Sequence, residues 1–371
     1  MRRRNISNVG QPVHAGFLAI AAFLFGAAQA LAQGAPDPYE VLGVPVDVTA
    51  ASAQAARTQA LAQGQKAAFE RLLRRLTVSG DHSRLPQIAT DQIVNYVRDL
   101  SVDEKTSSVR YVGQINVRFR SAEVRQLLRN YSVPFAETVA KPTLVLPVYE
   151  TEGEARLWDE PNPWRAAWQR ADIGQGLLPM TLPLGDLPDL STITASQAIG
   201  GDVDRIAAMS QRYSADSVMV ATASMRDDPL AGGKVIEVIA SHFTGGTVGG
   251  VYNQTFKVAE GEAEEAVLDR ALAWLRGVAS DAWKERNLIR FGQEAVVLVR
   301  IPIGSLTDWN DIRRRLDNVA IIYKRELLSL ALDRAMVDIY FTGDAEQLRT
   351  ALAQRDLTLE AVSGQWVLRP L

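Results

Sequence analysis

Three histidines, His14, His82 and His242, and no cysteine limit what this 371-residue chain could catalyse. Without a thiol there is no thiolate nucleophile, no disulfide and no cysteine-ligated zinc or iron–sulfur site. His82 stands in the turn-like Ser79-Gly-Asp-His-Ser83, and His242 stands at a strand end beside a glycine-rich run. His242 has no second ligand nearby in sequence and His82 reads as a turn residue, so no metal site is expected. Hydrolysis of a glycoside needs two facing carboxylates. The candidate pairs are Asp186 with Asp189, Asp202 with Asp204, and Asp227 with Asp228. All fall in turns or at helix starts, where Asp serves the backbone. No G-x-S-x-G, Walker A, H-E-x-x-H or G-x-G-x-x-G motif is present. Thr244-Gly-Gly-Thr-Val-Gly-Gly250 lies between two strand-like runs, whereas a phosphate loop leads into a helix. No cofactor is expected, and no catalytic residue is assigned.

Binding chemistry has one local concentration. Trp158, Trp164 and Trp168 are three of the seven tryptophans, and Trp164 and Trp168 fall one turn apart on one helix face. They either pin a long loop onto a sheet or form an aromatic platform with Arg156 and Arg165. Tryptophan and arginine are frequent interface anchors. Trp158, Trp164, Arg165 and Trp168 are therefore the candidate partner-binding residues. The clusters Arg71, Arg74, Arg75 and Arg313, Arg314, Arg315 are offset by Glu70, Asp311 and Asp317 and read as solvated helix faces.

The elements that must position these residues fall into three consecutive units, α+β or α/β. The first spans 39–136. It has a strand at Tyr39–Val48 interrupted at Gly43 and Pro45, which suits an edge or a bulge. A long helix follows over Ala50–Leu76, with Leu61, Ala68, Phe69, Leu72 and Leu76 on one face. A shorter helix is expected at Gln87–Asp99, then a half-buried strand at Tyr111–Phe119 and a helix from Ser121. The second unit, 141–290, interleaves strands and helices as a mixed-sheet α/β domain. Its strands are expected at 143–149, 178–184, 216–223, 234–243 and 251–258, and its last helix at 262–286. The third unit, 291–371, has the order βαββαβ of a ferredoxin-like domain, with strands at 295–301, 320–328, 335–341 and a final strand or hairpin at 357–368.

Arg2, Arg3 and Arg4 precede the apolar run Phe17–Ala28 and the small-x-small motifs Ala28-Gln-Ala30 and Ala30-Leu-Ala32. Residues 1–32 therefore read as a signal peptide, cleaved at Ala30 or Ala32. No cysteine follows, so a lipid anchor is not expected, and no later run is long and apolar enough to span a bilayer. The expectation is a periplasmic protein without stable membrane insertion. The 40 lysines and arginines less the leader's three leave 37 against 43 acids, a net charge of −6. This argues against nucleic-acid binding.

Tyr39-Glu-Val-Leu-Gly-Val-Pro-Val-Asp-Val48, the helix Ala55–Leu76, the strand Tyr111–Arg120 and the segment Leu182-Pro-Leu-Gly-Asp-Leu-Pro-Asp-Leu190 resemble a family of exported proteobacterial proteins, domain of unknown function 2066. The resemblance implies export and a proteobacterial origin and assigns no catalytic residue. The expected function is a non-enzymatic binding or assembly module of the bacterial cell envelope, with an envelope protein or glycan as partner. The alternatives are a carboxylate-dependent envelope hydrolase and small-ligand capture between the first two units. The oligomeric state is left open.

Overall fold

The computed structural model describes residues 37–106, 109–228, 232–289 and 294–371. The expected signal peptide and His14 lie outside them, as does the expected junction at 290–291.

The first segment contains β1 (Glu40–Thr49), α1 (Ala53–Leu76), β2 (Val97–Thr106), β3 (Arg110–Phe119) and α2 (Ser121–Asn130). Its three strands form an antiparallel sheet in the order β1-β3-β2. β1 is an edge strand, and its register shifts between Val41 and Val44, where Gly43 takes φ +64°. The Leu42-Gly43 insertion is thus a bulge. α1 starts at Ser52, whose Oγ accepts the Ala55 N–H at 3.2 Å. Its small buried residues Ala56, Ala60, Gly64 and Ala68 recur every four positions and let the helix lie close to the sheet. A Cβ on Gly64 would lie 2.5 Å from Ile115 Cδ1. The helix expected over Gln87–Asp99 is a single 3₁₀ turn, Ile93–Tyr96, that runs into β2. Leu100 and Val102 pack on the core from this strand, while Arg98, Asp99 and Ser101 are exposed.

The second segment holds a six-stranded mixed sheet. Its elements are β4 (Thr143–Thr151), β5 (Glu154–Arg156), α3 (Pro163–Arg170), β6 (Met180–Thr181), α4 (Leu187–Thr192), α5 (Ala195–Ile199), α6 (Val203–Arg212), β7 (Ser217–Asp228), β8 (Gly233–Thr244), β9 (Thr247–Lys257) and α7 (Glu264–Arg286). The order is β5-β4-β7-β8-β9, with β6 beside β4. β4 runs parallel to β6 and β7, and the other pairings are antiparallel. The alternation of β7 sends Met219, Ala221 and Ala223 to a core shared with α3 and α7, and Val218 and Val220 to a core shared with α5 and α6.

The third segment comprises β10 (Glu294–Pro302), α8 (Leu306–Asp317), β11 (Ile322–Leu330), β12 (Arg334–Thr342), α9 (Ala345–Ala353), β13 (Leu357–Val362) and β14 (Gln365–Pro370). The sheet order is β11-β12-β10-β14-β13, with β10 and β14 parallel. β10 to β12 follow the ferredoxin-like plan, and the chain closes as a hairpin whose β14 takes the place beside β10 in parallel, with β13 at the edge. Ser305 caps α8, and Asp344 with Gln347 forms a reciprocal capping box on α9.

The three sheets do not have three separate cores. Apolar residues of the first and third segments form one continuous cluster, joined near Phe135 and Ile289, which also exchange a β-bridge. The second segment is bolted to the first through α7. Lys284, 5% exposed, donates to Thr77 O at 2.7 Å and Arg74 O at 3.3 Å and pairs with Asp281 at 2.9 Å. A cation at the C-terminal carbonyls of α1 is favourable to the helix dipole. No described helix is long and apolar enough to cross a membrane.

Candidate functional site

The aromatic platform expected from the tryptophans is not presented to solvent. Trp164 and Trp168 are both 0% exposed. Their rings meet edge-on at 5.6 Å between the sheet and α7, and Trp164 Nε1 donates to Ala221 O at 2.9 Å. Replacing either with alanine would cost about 3–5 kcal/mol of core packing. The reason for this placement is the cap of α3. Asn162 is buried, accepts the Arg165 N–H at 2.8 Å, and donates to Pro147 O on β4 and to Arg156 O. This anchors the first turn against the sheet edge and turns the Trp164/Trp168 face inward.

Trp158 and Arg165 remain nearer the surface, with a different task. Trp158 Nε1 donates to Ile193 O at 2.7 Å, and the Arg165 guanidinium lies 5.8 Å from the Trp158 ring centre. Arg165 Nη2 also donates to Leu184 O at 3.0 Å. Gly185 takes φ +75°, and a Cβ there would lie 2.6 Å from Arg165 Nη2. Only glycine meets both constraints without strain.

The loop that Arg165 grips is held from its other side by Asp189. This carboxylate is fully buried. Its Oδ1 accepts Arg212 Nε at 2.8 Å, and its Oδ2 accepts the Gly185 N–H at 2.8 Å and the Tyr213 hydroxyl at 2.6 Å. The Tyr213 oxygen in turn accepts the Leu184 N–H at 2.8 Å. Arg212 reaches Asp186 at 2.6 Å, and Asp186 caps α4 by accepting the Asp189 N–H. Burial by itself would raise the Asp189 pKa. The hydrogen bonds from Tyr213, Gly185 and Arg212 outweigh that and hold it below the usual carboxylate range.

The latch displays an apolar ledge. Leu184 is 74% exposed and Leu187 80%, with Leu190 exposed beside them, and Ile199 and Val203 are exposed on the neighbouring α5 and α6. The 178–184 stretch expected as a strand pairs only at Met180–Thr181. Pro183 and the left-handed Gly185 then turn the chain outward.

Asp204 lies in the first turn of α6, and Asp227 and Asp228 end strand β7 and, contrary to expectation, do not lie in a turn. Asp186 and Asp189 share one guanidinium instead of facing each other across a cleft. Asp202 caps α6 by accepting the Arg205 N–H. His242 is buried with Nε2 2.9 Å from Ser217 Oγ, which lies 2.9 Å from Thr143 Oγ1. Burial first, and the positive charge of Arg286 second, push the His242 pKa down to about 4. His82 lies 3.4 Å from Thr77 O. Among the described residues, no group of three or more His, Asp and Glu could hold a metal ion.

A cleft of about 290 Å³ opens between α2 and the ends of the third sheet. Its Arg125 and Glu137 are locked in a bidentate pair at 2.7 and 2.6 Å, with Glu137 fully buried.

Comparison with known proteins bears on parts of this architecture. Residues 40–137 match the model of a domain of unknown function, number 8605. This overturns the expected likeness to domain 2066, whose model does not match. Of the segments that carried that likeness, β1, α1 and the strand Tyr111–Arg120 lie inside the 8605 match, and Leu182–Leu190 lies outside it. An Ala/Arg/Leu-rich helix fixes little by itself, and the bulge at Gly43 breaks the strand pattern. No curated protein matches the sequence. Among solved structures, lipoprotein GNA1162 from Neisseria meningitidis aligns over 38% of this chain and 98% of its own, at 11% identity and a TM-score of 0.26. The LpoB C-terminal domain from Salmonella enterica aligns over 36% of this chain and 92% of its own, at 15% identity and a TM-score of 0.22. Likenesses at such TM-scores define no activity.

Proposed function

We propose that this protein is a non-enzymatic binding or assembly module of the bacterial cell envelope, exported by its N-terminal leader, and that Leu184 and Leu187 form its partner contact. The observation that carries this reading is the latched ledge: two leucines, 74% and 80% exposed, on backbone fixed by a buried carboxylate. Exposed apolar tips on a mobile loop would carry an ordering cost on binding, and a fixed ledge avoids it. The nearby charges balance: Arg212 and Arg165 stand against Asp186 and Asp189. The ledge therefore suits an envelope protein with an apolar groove better than a charged glycan.

The test is photo-crosslinking in cells from position 187, with position 346 on α9 as the control. A discrete protein adduct is expected at 187 only. It should disappear in the Leu184→Asp variant, whose melting temperature should match wild type because the side chain is exposed. Adducts equal at both positions, or an adduct unaffected by the substitution, would overturn the assignment.

A further inference from the structure

β11 is the outermost strand of the third sheet, and only β12 flanks it. Natural sheets protect such edges with charge, proline, bulges or shortness. β9 carries Asn253, Gln254, Thr255 and Lys257 on its surface, its exposed Val248 and Val251 flank a register shift, and β13 spans only six residues. The C-terminal half of β11 has a register shift at Leu328 but carries no charge or proline. Leu327, Leu328 and Leu330 are 48%, 55% and 43% exposed, and Leu332 in the following turn is 96% exposed. Leu306, also exposed, lies at the same end, because Ile303 N donates to Asp333 O beside that turn.

The polar half of the strand says what covers this edge. Lys324 and Glu326 stand two residues apart, so their side chains share a face of the sheet. They pair with each other at 2.6 Å with roughly half of each side chain in solvent. This order is self-complementary in an antiparallel pair. A twofold axis through Arg325 sets Lys324 opposite Glu326 of a second copy, and Glu326 opposite its Lys324. The same register puts Tyr323 opposite Leu327. Lys324–Leu327 is the stretch between the two register shifts of β11, so its pleat is regular there. Arg325 meets its own counterpart on the axis, but its guanidinium is turned to Asp317 and to Arg313 O. An axis through Glu326 would oppose two carboxylates, and one through Leu327 would lose both ion pairs.

We propose that β11 is a self-association edge, through which two copies pair antiparallel about Arg325 and join their five-stranded sheets into one. The occupant of the leucine-rich edge is a second copy of the same chain.

Sedimentation velocity of the full chain over a concentration series tests this. Wild type is expected to shift from monomer to dimer. Glu326→Lys opposes two lysines across the axis at each pair, so its dimer dissociation constant should rise at least about tenfold. The swap Lys324→Glu with Glu326→Lys restores both pairs and should restore the dimer. Circular dichroism checks that each variant is folded, and Lys324→Glu replaces Glu326→Lys if the latter is not. A wild-type chain that stays monomeric throughout would overturn the proposal and leave the edge to a strand of another protein. A folded Glu326→Lys that dimerises like wild type, or a swap that fails to restore the dimer, would overturn the register and the proposal with it.

Discussion

Replacing Asp189 by alanine tests the latch at its centre. The carboxylate accepts from Arg212 at 2.8 Å, from Gly185 N at 2.8 Å and from the Tyr213 hydroxyl at 2.6 Å. Removing one partner of a buried ion pair typically costs about 3–5 kcal/mol, because the other charge is left uncompensated. Here Arg212 keeps its contacts with Asp186, and its side chain is 32% exposed. That places the expected loss at the low end, about 3 kcal/mol. Urea unfolding measures the global part. Hydrogen exchange measures the local part: the amides of Leu184 and Gly185 lose their acceptors or support and should exchange faster, while those of β7 change only with global stability. Gly185→Ala is the companion variant. It forces a Cβ into φ +75° and against Arg165 without touching the carboxylate, so it should release the same amides. The acid response has a definite sign. Asp189 titrates below the usual range when folded, so its contribution is complete above the unfolded value and is lost only as pH falls through the lowered folded one. A destabilisation of Asp189→Ala below about 1 kcal/mol, with unchanged exchange at 184 and 185, would refute the latch.

Two further outcomes follow from buried charges elsewhere. His242 binds its proton less readily when folded, so its contribution is complete above about pH 6.5 and is lost as pH falls from there towards 4, a total of about 3 kcal/mol. In urea titrations across that window, His242→Gln should lose less stability than wild type, and parallel curves would contradict the burial argument. Lys284→Met removes a cation from the Thr77 and Arg74 carbonyls and leaves Asp281 without its 2.9 Å partner. Its expected cost in calorimetric or urea unfolding is about 2–4 kcal/mol, and a cost near zero would mean that the joint between the first two segments does not depend on it.

Local periodicity made much of the fold readable in advance. The bulge in β1 announced itself as glycine and proline inside an apolar run, and α1 as an apolar stripe. The third segment's order was legible because its caps and alternations are sharp. β2 was not, since Arg98, Asp99, Ser101 and Asp103 interrupt the pattern around the inward Val97, Leu100 and Val102. The spacing of Trp164 and Trp168 showed that they share a face, but not which way that face points. That direction depends on Asn162 reaching Pro147, a contact across the sheet edge. The ledge was hidden for a similar reason. The 178–184 stretch reads as a strand, and what holds the following loop outward is Arg212 and Tyr213, more than twenty residues later. The merged core of the first and third segments is equally non-local.

The groups that drew attention as chemistry are spent on placing backbone. Asp186 caps α4 and neutralises Arg212, Asp189 fixes Gly185, Asp202 caps α6, and His242 closes a hydroxyl chain across three strands. A general base needs a reachable proton and a pKa near the working pH. His242 is buried with its pKa pushed down to about 4, and Asp189 has its oxygens occupied, so neither meets that need. The same expenditure has a use in binding. Ordering a backbone residue costs about 1–2 kcal/mol, and the latch meets that cost for Leu184 and Gly185 during folding instead of at the moment of contact. Burying two leucines supplies about 3–6 kcal/mol, so such a cost would consume much of it. Under the proposed function, the buried carboxylate and the exposed leucines are therefore two halves of one device, in which the first makes the second usable.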